Sequence, residues 1–179
     1  MIQEKHKILI SEEKIQKRIQ EIGAQITQDY KNKDLVVICI LKGAFMFCAD
    51  LIRKIKLPLS CEFYGVSSYG DETKSSGALQ TTLDISIPLK GKHLLIVEDI
   101  VDTGLTIDYL KRNFQSREPK SVKTCSLLLK PSCLQKDIKI DYLGFEIGME
   151  FVVGYGMDLA GKYRNTPDLL VLTDRVLTQ

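Results

Sequence analysis

Three acidic residues and two threonines follow a continuous apolar run in the middle of the chain. The run Leu94–Val97 has the length and composition of a strand buried on both faces. Glu98 and Asp99 come where such a strand should end, and Asp102 lies in the turn after it. The short segment Thr103-Gly104-Leu105-Thr106 completes the turn and leads into a predicted helix. The pattern is therefore strand, polar turn, helix.

These side chains suit different parts of a phosphorylated sugar. Backbone N–H groups around Gly104, at the start of a helix, point outward, and the hydroxyls of Thr103 and Thr106 add donors, so the turn suits a phosphate monoester. Adjacent carboxylates such as Glu98 and Asp99 suit either ribose hydroxyls or a hard cation such as magnesium, and both uses stay open here. A single acid in the turn suits a general base. The alternative is a strand that ends in solvated acids, but the coincidence of all these features favours a binding site.

Two other strands are predicted to end in a lysine. The apolar run Leu35–Leu41 is followed by Lys42 and Gly43, and a helix is predicted from Ala44 to about Lys56. The strand Val122–Lys130 ends in its own lysine. Because ligands of parallel sheets bind outside the carboxyl ends of the strands, we expect these charges to gather at one edge. Gly43 would let the backbone come close to a ligand.

The elements that must position these residues follow one another in an α/β order. Isoleucines at helical spacing predict an amphipathic helix over residues 11–31, with Ser11 as its N-cap. Further strands are predicted over residues 58–67, 79–85, 142–145 and 169–172. We predict a single α/β domain over residues 1–179, with a doubly wound, mainly parallel sheet.

Composition limits the classes of function. The chain has 179 residues, 44% of them hydrophobic and 27% charged, which is typical of one globular domain. A net charge of +2 gives no electrostatic reason to expect nucleic acid or a membrane as partner. Five cysteines form no CxxC pair, which favours free thiols in a reducing compartment. The N-terminus lacks a signal-peptide pattern and no apolar run could span a membrane, so a cytoplasmic protein is expected.

The segment Val97–Thr106 resembles the phosphoribosyl-diphosphate signature of type I phosphoribosyltransferases. Its residues are most similar to those of the hypoxanthine (hypoxanthine-guanine) phosphoribosyltransferases. The resemblance covers roughly residues 9–165. It implies Asp102 as general base and a 5′-phosphate site formed by residues 102–106, namely Asp102, Thr103, Gly104, Leu105 and Thr106. It implies magnesium as cofactor, held by Glu98 and Asp99.

The resemblance also assigns residues outside this signature. Lys42 and Gly43 match the diphosphate-binding loop, and Arg164 matches an arginine that holds diphosphate with its planar fork of donors. Residues 67–77 are polar or small without periodicity, which is typical of a linker or a mobile loop. Here Ser68 and Tyr69 match the family's flexible loop, whose closure would exclude water from the reacting centre.

The purine side is assigned by resemblance alone. Lys130 matches the lysine that donates to the exocyclic oxygen of a 6-oxopurine, Phe151 the ring that stacks on the purine, and Val152 its neighbour at the base edge. Asp158 matches an acid near the base edge and a second magnesium. A lysine donor discriminates an oxygen at purine C6 from an amino group, which argues against adenine.

The resemblance implies the transfer of a 5-phosphoribosyl group from 5-phosphoribosyl diphosphate to hypoxanthine or guanine. It also implies a small hood built from the N-terminal and about 131–179 segments, and a homodimer or homotetramer. Thr166-Pro167-Asp168-Leu169-Leu170 departs from the family's usual sequence, which concerns C-terminal packing and the subunit interface rather than the catalytic set. The alternatives are xanthine as the main base and an RNA-binding regulator of pyrimidine genes with the same fold; the latter would require a basic surface.

Overall fold

A computed structural model describes residues 6–68 and 79–172 of the chain. It contains nine strands and three α-helices in these ranges. The strands are β1 His6–Ile10, β2 Leu35–Leu41, β3 Ser60–Ser68, β4 Leu79–Leu83, β5 His93–Val101, β6 Ser121–Leu129, β7 Tyr142–Glu146, β8 Val152–Val153 and β9 Leu169–Leu172. The helices are α1 Glu12–Asp29, α2 Phe45–Lys54 and α3 Leu105–Gln115, and a 3-10 turn covers Pro131–Cys133.

Six strands form the main sheet in the order β4-β3-β2-β5-β6-β7. All neighbours are parallel except β3 and β4, which run antiparallel. The chain moves outward from β2 to β3 and then returns to the other side of β2 with β5. This reversal lies between β2 and β5, so their carboxyl ends are where an open α/β sheet binds its ligands.

Alternate residues of the central strands face two separate cores. On β2, Val37 and Cys39 point into the core that holds α1 and α2, whereas Val36 and Ile38 point into the core that holds α3. All four are fully buried, which explains the continuous apolar run in the sequence. With helices on both faces, the predicted doubly wound, mainly parallel α/β sheet is confirmed.

Helix α1 forms as its periodicity predicted, but its N-terminus is capped differently. Ile15, Ile19, Ile22 and Ile26 are buried. Ser11 occupies the N-cap position without a side-chain cap hydrogen bond. Instead, the Glu12 N–H donates to Oδ1 of Asp168 at 2.7 Å, from the far end of the described chain.

A second, antiparallel sheet has the order β1-β9-β8 and joins the first and last described segments. Strand β9 has the predicted bounds. Strand β1 was not predicted, because it pairs only with β9 and its Ile8 is exposed. This small sheet positions Val152, on β8, beside the carboxyl edge of the main sheet.

The flexible loop was predicted over residues 67–77, but its predicted start lies two residues too early, because β3 extends to Ser68. Ser67 and Ser68 belong to β3, because β4 pairs back onto this strand and extends its ladder to Ser68. Tyr69 and the rest of the loop lie outside the described residues, so the lid stays a prediction.

Candidate active site

A cavity of about 340 Å³ opens at the carboxyl ends of β2, β5 and β6. Nine residues singled out in the sequence line it together, and they come from five separate segments of the chain. These nine are Lys42, Gly43, Asp99, Asp102, Lys130, Phe151, Val152, Asp158 and Arg164. Charged side chains at the ends of several strands therefore lie together at the carboxyl edge of the main sheet, as predicted.

The turn between β5 and α3 forms a smaller cavity beside the first. It encloses about 90 Å³ and is lined in part by Asp102, Thr103, Gly104 and Thr106. Gly104 is the residue before α3 and has φ +81°, a conformation that favours glycine. The Leu105 side chain lines neither cavity. The size of the cavity, its hydroxyls and the adjacent helix N-terminus suit a phosphate group.

The paired carboxylates differ in accessibility. Asp99 lines the larger cavity, whereas Glu98 is buried beside it and does not. Burial, reinforced by the neighbouring carboxylate of Asp99, raises the pKa of Glu98 well above its usual value. Burial also raises the pKa of Asp99, although a hydrogen bond with Glu98 opposes this. The Oε2 atom of Glu98 is buried without a hydrogen-bond partner.

The Lys42–Gly43 turn lies against Asp99. The peptide bond between Leu41 and Lys42 is cis. A Cβ atom on Gly43 would overlap the carboxylate of Asp99, so only glycine allows this approach. The Lys42 carbonyl accepts from the N–H of Phe45 at 3.3 Å, which starts α2.

Lys130 reaches the cavity from the end of β6. It is 8% exposed, and its Nζ lies 3.4 Å from Oδ2 of Asp102, with which it forms an ion pair. Its backbone N–H donates to the carbonyl of Val101 at 2.9 Å, which fixes it to the end of β5. The cavity therefore places a nearly buried ammonium group next to the candidate general base.

The opposite wall comes from β8, the residue before it and the segment after it. Nη2 of Arg164 pairs with Oδ1 of Asp158 at 2.7 Å, and Nη1 donates to the carbonyl of Gly156 at 2.6 Å. Val152 is held by its pairing with Val171 on β9. Phe151, the residue before β8, completes an apolar part of the wall.

Residues 7–159 match the family model described as the phosphoribosyl transferase domain. The chain belongs to the phosphoribosyltransferase family. The hypoxanthine-guanine phosphoribosyltransferase of Bacillus subtilis is 48% identical over 170 residues, which cover 95% of this chain and 94% of that protein. The enzyme of that name from Dictyostelium discoideum is 46% identical, with 90% and 92% covered.

A solved structure leads to the same family. The hypoxanthine phosphoribosyltransferase of Staphylococcus aureus superposes with a TM-score of 0.92 at 42% identity, covering 97% of this chain and 94% of that one. The resemblance to the hypoxanthine (hypoxanthine-guanine) phosphoribosyltransferases predicted from the sequence is confirmed.

Some residues of this phosphoribosyltransferase site were not predicted. Ile100 and Met157 also line the larger cavity. Ile100 directly follows the paired acids, so its position at the strand end was a usable signal. Met157 is buried in a turn, and its sequence environment gives no sign that it faces a ligand.

Residues 6–68 and 79–172 contain no preformed metal site made of protein side chains alone. No three His, Cys, Asp or Glu side chains cluster there in a way that could hold an ion. In the same ranges, no helix is long and apolar enough to cross a membrane.

Proposed function

We propose that this chain is a purine-salvage enzyme that transfers the 5-phosphoribosyl group of 5-phosphoribosyl diphosphate to N9 of hypoxanthine, guanine or both. The products are IMP or GMP and diphosphate. One observation carries the proposal: a single cavity is lined by the Lys42–Gly43 turn, by the candidate base Asp102, by the nearly buried Lys130 and by an apolar wall that includes Phe151. The names of its relatives support the same reaction.

The donor occupies the side of the cavity formed by the strand ends. The turn of residues 102–106 binds the 5′-phosphate through backbone N–H groups and the hydroxyls of Thr103 and Thr106. The Lys42–Gly43 turn and Arg164 bind the diphosphate from two sides. Asp99 and Glu98 hold the ribose hydroxyls, directly or through a metal ion.

The carboxylates fit a magnesium ion. The unpartnered Oε2 of Glu98 and the cavity-facing Asp99 offer hard oxygen ligands, and Asp158 offers another across the cavity. Magnesium is usually held by one or two carboxylates plus substrate oxygens, so a site without a three-residue cage suits it. When bound, the ion would neutralise charge on the diphosphate.

The purine lies against β8 and the residue before it. Phe151 and Val152 provide its apolar contact, and the ammonium group of Lys130 donates to the oxygen at C6. An amino group at C6 would turn hydrogens toward this donor, so adenine is rejected. Because Lys130 and Asp102 are only 3.4 Å apart, the donor to O6 and the base lie on the same side of the purine.

Asp102 accepts the proton that the purine must lose. As N9 forms its bond to C1′ of a cation-like ribosyl group, the bond from C1′ to the diphosphate oxygen breaks, and the N7 proton passes to the carboxylate of Asp102. Lys42 and Arg164 neutralise the charge that develops on the leaving diphosphate. Asp102 then releases its proton to water.

A spectrophotometric assay tests this function directly. The protein, the ribosyl donor and magnesium are mixed in parallel with hypoxanthine, guanine, xanthine, adenine or uracil. We expect turnover of hypoxanthine, guanine or both. Turnover of xanthine would place the specificity on the Asp158 side of the cavity, and no turnover in protein that binds the donor would contradict the assignment.

The small sheet β1-β9-β8 is proposed as the hood of the same single domain, since β8 carries part of the purine wall. A homo-oligomer is supported by Phe63 and Leu83, which are exposed on the neighbouring strands β3 and β4. Light scattering of the purified protein would test it. The five cysteines are free, which supports a cytoplasmic location.

A further inference from the structure

Three consecutive residues with positive φ form the turn between the purine wall and Arg164. Gly154, Tyr155 and Gly156 have φ values of +96°, +49° and +99°. For tyrosine this conformation is uncommon and needs compensating contacts. The side chain of Tyr155 is 3% exposed, so those contacts lie inside the protein.

Tyr155 is bound to the two helices on that face of the sheet. Its hydroxyl donates to Oδ2 of Asp50 on α2, and Gln16 on α1 donates to the same Oδ2 at 2.7 Å. Burial and the bond to Asp50 raise the pKa of Tyr155. Burial alone would raise the pKa of Asp50, but its hydrogen bonds, above all the one from Tyr155, hold that pKa below its usual value. The pair is thus a neutral phenol and a carboxylate, a strong combination.

The Tyr155–Asp50 bond joins the two halves of the diphosphate site. Asp50 lies on α2, which begins two residues after the Lys42–Gly43 turn. On the other side, the Gly156 carbonyl accepts from Arg164 at 2.6 Å. A Cβ atom on Gly156 would overlap the Gly43 carbonyl, so the two turns are in direct contact.

We propose that Tyr155, through Asp50, is a positioning residue that sets the distance between Arg164 and the Lys42–Gly43 turn. The inference rests on the proposed function, because it assigns both groups to diphosphate. The purine wall should be unaffected by it. Val152 is fixed by its pairing with Val171 on β9, and β8 itself comes before the turn in the chain.

The experiment compares two buried tyrosines, each of which is hydrogen-bonded to an aspartate. Tyr155→Phe removes the hydroxyl that donates to Asp50. The matched control is Tyr142→Phe, because Tyr142 is 2% exposed and donates to Asp29 on α1 at 2.6 Å, but lies on the edge strand β7, which carries no residue of the proposed diphosphate site. We expect Tyr155→Phe to raise the KM of the ribosyl donor, and the Kd of magnesium diphosphate by calorimetry, by about 10-fold. The purine KM should change less than about twofold, and the control should leave all three constants unchanged.

A second pair of variants tests the coupling and covers poor folding of the first. Asp50→Asn keeps an oxygen acceptor and should raise the donor KM less than Tyr155→Phe does. The double variant should raise the donor KM no further than Tyr155→Phe alone, since the other partners of Asp50, Gln16 and Arg53, do not line the cavity. Additive effects would overturn the inference. An equal rise in both substrate KM values, or a rise of the same size in the control, would also overturn it.

The proposed function and this inference can fail separately. If the wild-type protein turned over no purine, the function would be contradicted, and the diphosphate titration would still decide the inference. If the wild-type enzyme were active and Tyr155→Phe bound diphosphate as well as wild type, only the inference would be wrong.

Discussion

The turn between β5 and α3 and the turn from Gly154 to Arg164 face the same cavity, but they are built differently. In the first, the functional groups follow one another along a strand end and a helix start, and local backbone geometry fixes them. In the second, Tyr155 depends on Asp50, which is 105 positions away along the chain.

This difference predicts different effects of substitutions in the two turns. The shape of the first turn depends only on a parallel strand that leads into a helix, so substitutions there should lower the reaction rate without destabilising the fold. The second turn holds its shape only when the helices and the small sheet are already packed. Substitutions there should affect stability and donor binding together.

The largest effect is expected in the first turn, from Asp102→Asn. Loss of the proton acceptor should lower kcat by roughly 10² to 10⁴, the usual contribution of a general base. The unfolding midpoint should hardly change, because the Asp102 side chain is half exposed. The control is Asp108→Asn, which alters an exposed ion pair with Arg112 on α3. If Asp102→Asn kept a near wild-type rate, Asp102 would not be the base.

A second prediction concerns the long-range turn and uses two glycines. Gly156→Ala should lower the free energy of unfolding by about 2–5 kcal/mol, because φ is +99° and the new methyl group would overlap the Gly43 carbonyl. Gly161→Ala, with φ +80° and no neighbour within 4 Å, should cost only about 1–2 kcal/mol of backbone strain.

Urea unfolding and the donor KM should be measured for both glycine variants. Only Gly156→Ala should raise the donor KM, since only Gly156 contacts Gly43 and Arg164. Equal losses of stability in the two variants would show that the contact between Gly156 and the Gly43 carbonyl adds nothing to the stability of the second turn.

Lys130→Ala tests a residue that lies between the two turns, since Lys130 pairs with Asp102 of the first turn and lines the cavity that the second turn faces. Loss of a charged hydrogen bond should raise the purine KM about 10- to 100-fold and the donor KM far less. Lys111→Ala is the control, because Lys111 donates to the carbonyl of Lys139 at 2.8 Å, outside both cavities. Initial rates with each substrate varied would measure both constants. Equal effects on the two substrates would count against the contact with the purine.

The contrast between local and long-range structure also explains how much of the fold and the site could be predicted from the sequence. The strands β2 and β5 and helix α1 follow from apolar runs and periodicity, and the chemistry of the first turn follows from residues that are neighbours in sequence. Lys130 was placed at the same edge as a strand-end lysine, but its contact with the purine was assigned only by resemblance, as was the role of Arg164. Tyr155 has the sequence features of an ordinary core aromatic, because its partner is defined only after α2 packs. Strand β1 was missed for the same reason, since its pairing partner is β9.

The smallest effect is expected at another long-range contact, that of Asp168, which follows the second turn in the chain. Its carboxylate accepts the first helical N–H of α1 and lies within the segment that departs from the family's usual sequence. Asp168→Ala should lower the free energy of unfolding by about 1 kcal/mol, the usual cost of a lost N-cap, which is roughly 2–4 °C in Tm. Ser11→Ala, at the formal N-cap, should change it by less than about 0.5 kcal/mol because the Ser11 side chain makes no cap bond. Thermal unfolding of both variants would measure the difference, with kcat unchanged in each. A greater loss from Ser11→Ala would show that α1 is capped by the neighbouring serine rather than by the distant Asp168.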